Sequence, residues 1–191
     1  MAPRDSYQDT DTMRFQFIDV PEENGLLDSN YFTLTPTATP TPTPVVAINA
    51  GGDTQGNFSS DTDNNGGSTF ITNAAIDTSG VTNPAPQAVY QNVRYGNFSY
   101  TIPTYSPNTN YTVRLDFSEP YWNSAGSREF NVSINGTQVL NNFDVYQTAG
   151  GENKAVSETF NTTTDSNGLI KIQFNTVIDN AMVSGIQISQ Q

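Results

Sequence analysis

The sequence contains no cysteine and no histidine. Without thiols there is no disulfide framework, zinc–thiolate site, iron–sulfur cluster or cysteine nucleophile. Without imidazole there is no Ser-His-Asp triad, no histidine base and no histidine-ligated metal. Basic residues are scarce: 7 Lys and Arg stand against 19 Asp and Glu, a net charge of −12. Phosphate backbones and anionic membranes are bound by clustered Lys and Arg, so neither nucleic acid nor a membrane surface is an expected partner. No apolar run is long enough to cross a bilayer as a helix. The opening Met1-Ala2-Pro3-Arg4-Asp5 lacks the apolar core of a signal peptide, and the chain reads as an internal piece of a longer protein.

Charged residues make up only 14% of the chain. The polarity comes from Asn, Thr, Ser and Gly, mixed with 9 Tyr and 11 Phe. That is too aromatic for a disordered chain, and it suits short strands joined by many turns. The length of 191 residues fits one domain of about 150 residues plus extras.

The clearest boundary is Thr35-Pro36-Thr37-Ala38-Thr39-Pro40-Thr41-Pro42-Thr43-Pro44. Alternating prolines fix φ and remove backbone donors, so the run is an extended, semi-rigid linker of roughly 30 Å. Residues 1–34 are too few for a core of their own and read as the tail of an upstream module, tethered through the linker. Residues 45–191 form the main domain.

In that domain the hydrophobic period is two. Val113, Leu115 and Phe117 alternate with Thr112, Arg114 and Asp116, which places Asp116 on the outward face of its strand. Phe130, Val132 and Ile134 repeat the pattern, as do Ile170, Ile172 and Phe174, then Ile186 and Ile188. Asn135-Gly136 predicts a hairpin between 130–135 and 137–141. Asn65-Gly66-Gly67, Gly150-Gly151 and Asn167-Gly168 mark further turns, and no window predicts a helix. About ten short strands at this spacing predict an all-β fold, an antiparallel β-sandwich or jelly roll.

Several ordered pieces carry a family resemblance: Ala47-Ile48-Asn49-Ala50-Gly51-Gly52, Val89-Tyr90-Gln91-Asn92-Val93-Arg94-Tyr95-Gly96, Leu115-Asp116-Phe117-Ser118-Glu119-Pro120-Tyr121-Trp122, Arg128-Glu129-Phe130 through Gly136, Asn142-Phe143-Asp144, and Asp179-Asn180-Ala181-Met182-Val183-Ser184-Gly185. In order and spacing they resemble a malectin-type domain of bacterial secreted proteins, over roughly residues 45–190. The resemblance implies a β-sandwich that binds carbohydrate, with glucose-containing oligosaccharides as the best-known ligands, held by aromatic side chains and one aspartate on loops at one end. By motif position it assigns carbohydrate-binding roles to Tyr95, Tyr121, Trp122 and Asp179, with Phe70 a further wall. Trp122 stands where the family's aromatic pair has a smaller ring, and Phe70 lacks the family's tyrosine hydroxyl. Glu119 and Arg94 are expected to support loops.

The chemistry agrees. Aromatic faces cover the C–H face of a pyranose while removing apolar area from water. A carboxylate such as Asp179 can accept two charge-assisted hydrogen bonds from neighbouring hydroxyls. The resulting expectation is a non-catalytic carbohydrate-binding module of a secreted, extracellular multi-modular protein, with an oligosaccharide or polysaccharide ligand and no cofactor. The alternative from another class is an adhesive or spacer domain with these aromatics packed inward and no open groove.

Two other motifs compete. Asp61-Thr62-Asp63-Asn64-Asn65-Gly66 opens like an EF-hand calcium loop, with Asp61, Asp63 and Asn65 as ligands. Such a loop needs a bidentate Glu at its twelfth position, which here is Thr72. Asp116 and Glu119 have the residue type for a glycosidase pair, but the outward strand position of Asp116 argues against catalysis.

Overall fold

A computed structural model describes residues 45–191; the 1–34 segment and the 35–44 linker lie outside the described residues. The period-two segments form strands. A four-stranded antiparallel sheet has the order β1 (Val46–Asn49), β10 (Gly185–Gln190), β4 (Asn110–Ser118), β7 (Ala155–Thr163). A second antiparallel sheet runs β2 (Asn64–Ile71), β3 (Asn92–Pro103), β8 (Leu169–Ile178), β5 (Glu129–Ile134), β6 (Thr137–Phe143), and the short β9 (Met182–Val183) also pairs with β3. The predicted hairpin on Asn135-Gly136 is β5–β6, with both turn residues at positive φ as that turn requires.

The core fills the space between the sheets. Val113, Leu115, Phe117, Ile186 and Ile188 enter from one side, and Phe98, Tyr100, Phe130, Val132, Ile172 and Phe174 from the other, all buried. The rings of Phe98 and Phe174 stack at 4.5 Å with 16° between their planes. Every alternation read from the sequence places its apolar set in this layer.

Two single-turn helices interrupt the strands: α1 (Gln87–Tyr90) and α2 (Val145–Ala149). The Asp144 carboxylate accepts from Gln147 N–H at the start of α2, and Gly150 ends it in the left-handed conformation. This Asp…Gly cap pair is present in the sequence, but the helix between them is too short to show a helical period.

The position of Asp116 differs from the expectation. It points out of the sandwich, yet it is fully buried, because the segment carrying α1 covers that face. Phe58, Ile76, Ala85, Val89, Tyr90 and Ala155 form a second small core there. Beneath it the Asp116 carboxylate accepts from Arg114, Tyr90, Ser157 and Gln187. Four donors, one of them the ion-paired Arg114, compensate the desolvated charge.

One irregularity shapes the site. Between Gly66/Phe98 and Ser68/Tyr95 the β2–β3 register shifts, with one extra residue on β3 at Gly96-Asn97. An inserted residue reverses the parity of everything beyond it. Phe98, Tyr100 and Ile102 face the core, and past the bulge Val93 and Tyr95 do so while Arg94 turns away. Gly96 takes φ 107° to make the bulge, a value side-chain-bearing residues avoid. At the same point β3 exchanges partners. It pairs with β8 up to Phe98↔Phe174 and then with β9 at Tyr95↔Met182, so the chain between β8 and β9 loops out at the end of the sheet.

Candidate functional site

That loop carries Asp179 and Asn180. It faces the β4–β5 loop, where Pro120, Tyr121 and Trp122 come directly after β4, and between them lies an open groove of about 270 Å³. Phe70 from the end of β2 and Tyr95 from beyond the bulge line the same groove, with Arg128 and Met182 at its floor. The structure therefore brings all five residues proposed from the motifs, Phe70, Tyr95, Tyr121, Trp122 and Asp179, to one place from four separate stretches of sequence. Tyr121 is 66% exposed and Phe70 41%, so both present apolar surface to solvent. Tyr95 is half-buried against the core. Tyr121 and Phe70 are thus not packed inward, as the spacer alternative would have them, while Tyr95 is partly so and Trp122 is half-buried.

The aromatic pair makes a corner. The rings of Tyr121 and Trp122 lie 4.9 Å apart at 86°, edge to face. Two perpendicular rings present one face and one side wall to whatever lies against them.

Asp179 is more heavily engaged than its motif suggests. Its Oδ2 accepts from the Trp122 indole N–H at 2.8 Å and lies 3.1 Å from Arg128 Nη1. Its Oδ1 accepts from the Asn180 side chain at 2.9 Å. Both oxygens of this carboxylate therefore already have partners before any ligand is present. Those partners compete with any hydroxyl for the acceptor capacity of Asp179. Partial burial pushes the Asp179 carboxyl up, but the Trp122 and Asn180 hydrogen bonds and the Arg128 charge outweigh it and hold the group below its usual range. Its backbone sits at φ 53°, the left-handed turn that Asp tolerates.

Two residues outside the proposed set complete the site. Glu119, fully buried, accepts the backbone N–H groups of Tyr121 and Trp122 on Oε1 at 3.0 and 3.1 Å. Its Oε2 accepts from Arg128 Nε at 2.6 Å. Arg128, 7% exposed, also donates to the Asn180 carbonyl at 2.6 Å. Glu119 is thus a loop support, as expected. Arg128 opens one of the family-like motifs without standing out in it; the signal that marks it is an isolated cation in a polar loop facing two acids. The loop is fixed a second time where Gly126 N–H donates to Asp144. Arg94, the other expected support, binds Asp61 through Nε and Nη2 and the Gly66 carbonyl through Nη1.

That pairing bears on the calcium motif. Both Asp61 oxygens are taken, Oδ2 by Arg94 and Oδ1 by the Tyr100 hydroxyl at 2.7 Å and by Asn64. Asp63 is exposed at a positive-φ turn position and Asn65 is already within β2. Among the described residues no three carboxylates gather as a metal site would need. Asp116 and Glu119 are each buried in an ion pair with arginine and do not face each other across a cleft.

Comparison with known proteins points to the same architecture. The sequence model of the family described as "Malectin domain" matches residues 44–188. Malectin-B of Xenopus laevis is 31% identical over 70 residues, 36% of this chain and 25% of that protein. Kinesin-like protein KIN-14E of Oryza sativa subsp. japonica is 32% identical over 112 residues, 54% of this chain and 10% of that protein. The chain thus spans a quarter or less of these curated relatives. Among solved structures, the ANX2 ectodomain from Arabidopsis thaliana superposes with a TM-score of 0.67 at 19% identity, covering 77% of this chain and 49% of that one. Bacteroides uniformis beta-glucuronidase gives 0.61 at 19%, covering 76% and 18%. At these identities the structural matches speak to the fold alone.

Proposed function

The chain belongs to the malectin domain family, a family of carbohydrate-binding, non-catalytic domains, and from that premise we propose that residues 45–191 are a glycan-binding module of a secreted, multi-modular protein. One observation carries the reading: four aromatic side chains and one carboxylate, far apart in sequence, line one open groove. Phe70, Tyr95 and the Tyr121–Trp122 corner supply apolar walls for the C–H faces of a sugar. Asp179 Oδ1 supplies one charged acceptor for a hydroxyl.

The groove is matched to neutral sugars. Among the described residues that line it, the one cation is Arg128, held between Glu119 and Asp179, so the cluster carries a net charge of −1 and repels carboxylated sugars. An open groove whose polar contacts compete with water binds weakly, at roughly micromolar to millimolar Kd. The Thr/Pro run then acts as a tether that holds the module near a polymer engaged by an upstream partner module, which raises its effective concentration. The parent protein acts outside the cell in this reading.

The test is titration of the protein with neutral gluco-, galacto- and xylo-oligosaccharides, followed by NMR. Saturable shifts at Tyr95, Tyr121, Trp122 and Asp179 are expected with at least one of them. Absence of binding to all of them at several millimolar overturns the proposal.

A further inference from the structure

We propose that Glu119 and Arg128, which no motif marks as sugar contacts, are the positioning residues of the groove. They lock the aromatic corner to Asp179 before any ligand arrives. This deepens the carbohydrate-binding reading and rests on it.

The argument is the closure of one hydrogen-bonded circuit. Glu119 holds the backbone of Tyr121 and Trp122 from below. It pairs with Arg128, which pairs with Asp179 and fixes the Asn180 carbonyl. Asp179 accepts the Trp122 indole N–H, and the circuit is complete. Trp122 is therefore held at its backbone and at its side-chain tip by opposite ends of one ion-pair chain. Tyr121 and Trp122 lie in a loop largely open to water, and the hydrogen bond of the Trp122 indole N–H is the one to Asp179. Burial of Glu119 and Arg128 makes each link stronger than it would be at the surface and makes a half-broken circuit costly. A site held in advance loses less freedom on binding.

Trp122 is the only tryptophan in the chain, so its indole reports on the circuit without ambiguity. In the full chain, Arg128→Lys keeps the charge but gives up the planar fork that reaches Glu119, Asp179 and Asn180 at once. The expected result is a shifted, faster-exchanging indole N–H resonance, greater acrylamide quenching, and about tenfold weaker oligosaccharide binding, the scale of one lost charge-assisted hydrogen bond. A folded Arg128→Lys protein with the wild-type indole resonance, exchange rate and quenching overturns the proposal, since a purely structural role would lower the melting temperature without moving these. If Arg128→Lys does not fold, amide exchange in the wild type decides. Tyr121 and Trp122 N–H groups that exchange slowly while Asn123 and Ser124 exchange fast support the circuit, and equally fast exchange overturns it. If the wild type binds no sugar, the carbohydrate reading fails by itself, and the indole and amide measurements still judge the circuit.

Discussion

The indole N–H of Trp122 donates to the carboxylate of Asp179 at 2.8 Å, across 57 residues of sequence. One residue is the largest ring of the groove and the other its carboxylate. Trp122→Ala removes both the wall and the clamp, and is expected to weaken glycan binding by about 2 kcal/mol or more. Trp122→Phe keeps a ring and loses only the donor, so about 1 kcal/mol is expected. Calorimetry with the best-binding oligosaccharide checks both. Equal losses for the two variants would mean that stacking contributes nothing.

Asp179 is the groove carboxylate whose titration is expected to govern the pH response of the site. Burial raises its carboxyl, and the Trp122, Asn180 and Arg128 interactions more than reverse that, leaving it below the ordinary value of 3.8. A depressed acid contributes stability that is complete above its unfolded value and disappears as pH falls through its folded value. Trp122 emission and glycan affinity are therefore expected to be flat from neutral pH down to about 4 and to change only at lower pH. A fluorescence titration checks this. A transition centred between about pH 5 and 7 would contradict the assignment of Asp179 as the titrating group.

Asp116 separates stability from binding. Asp116→Ala leaves Arg114 without its carboxylate and Tyr90, Ser157 and Gln187 without their acceptor, under the cover of the second core. Breaking a buried pair in this way costs about 3–5 kcal/mol. Urea unfolding should show that loss, with affinity unchanged in the protein that remains folded. A loss below about 1 kcal/mol would place Asp116 in effective contact with water.

The carboxylate of Asp61 is committed to Arg94 and Tyr100. A chelator is accordingly expected to leave the thermal midpoint unchanged, measured by differential scanning calorimetry with and without added calcium. A calcium-dependent rise would require the Asp61–Arg94 pair to open.

Much of this was legible in the chain itself. The alternating runs ending in Phe117, Ile134, Phe174 and Ile188 placed the core because side-chain period is a local property. The five groove residues were legible only through ordered motifs, since nothing local joins Phe70 to Asp179. What stayed hidden depends on long-range cover. Asp116 reads as a solvent residue by parity, and only the folded α1 segment buries it. Arg128 has no marked role in the sequence, and only the folded chain places Glu119 and Asp179 on either side of it. Tyr95 and Phe98 have opposite parity, and a period-two reading cannot put both inside without knowing where the extra residue lies.

That extra residue has a further consequence. Arg94 and Tyr95 face opposite ways as neighbours on a strand do, and the extra residue at Gly96-Asn97 decides which of them faces the groove. Deleting one residue there would turn the guanidinium toward the groove and the phenol away from it. The groove would then exchange an aromatic wall for a cation that now pairs with Asp61. What this groove presents to solvent is therefore encoded by strand register as well as by side-chain identity.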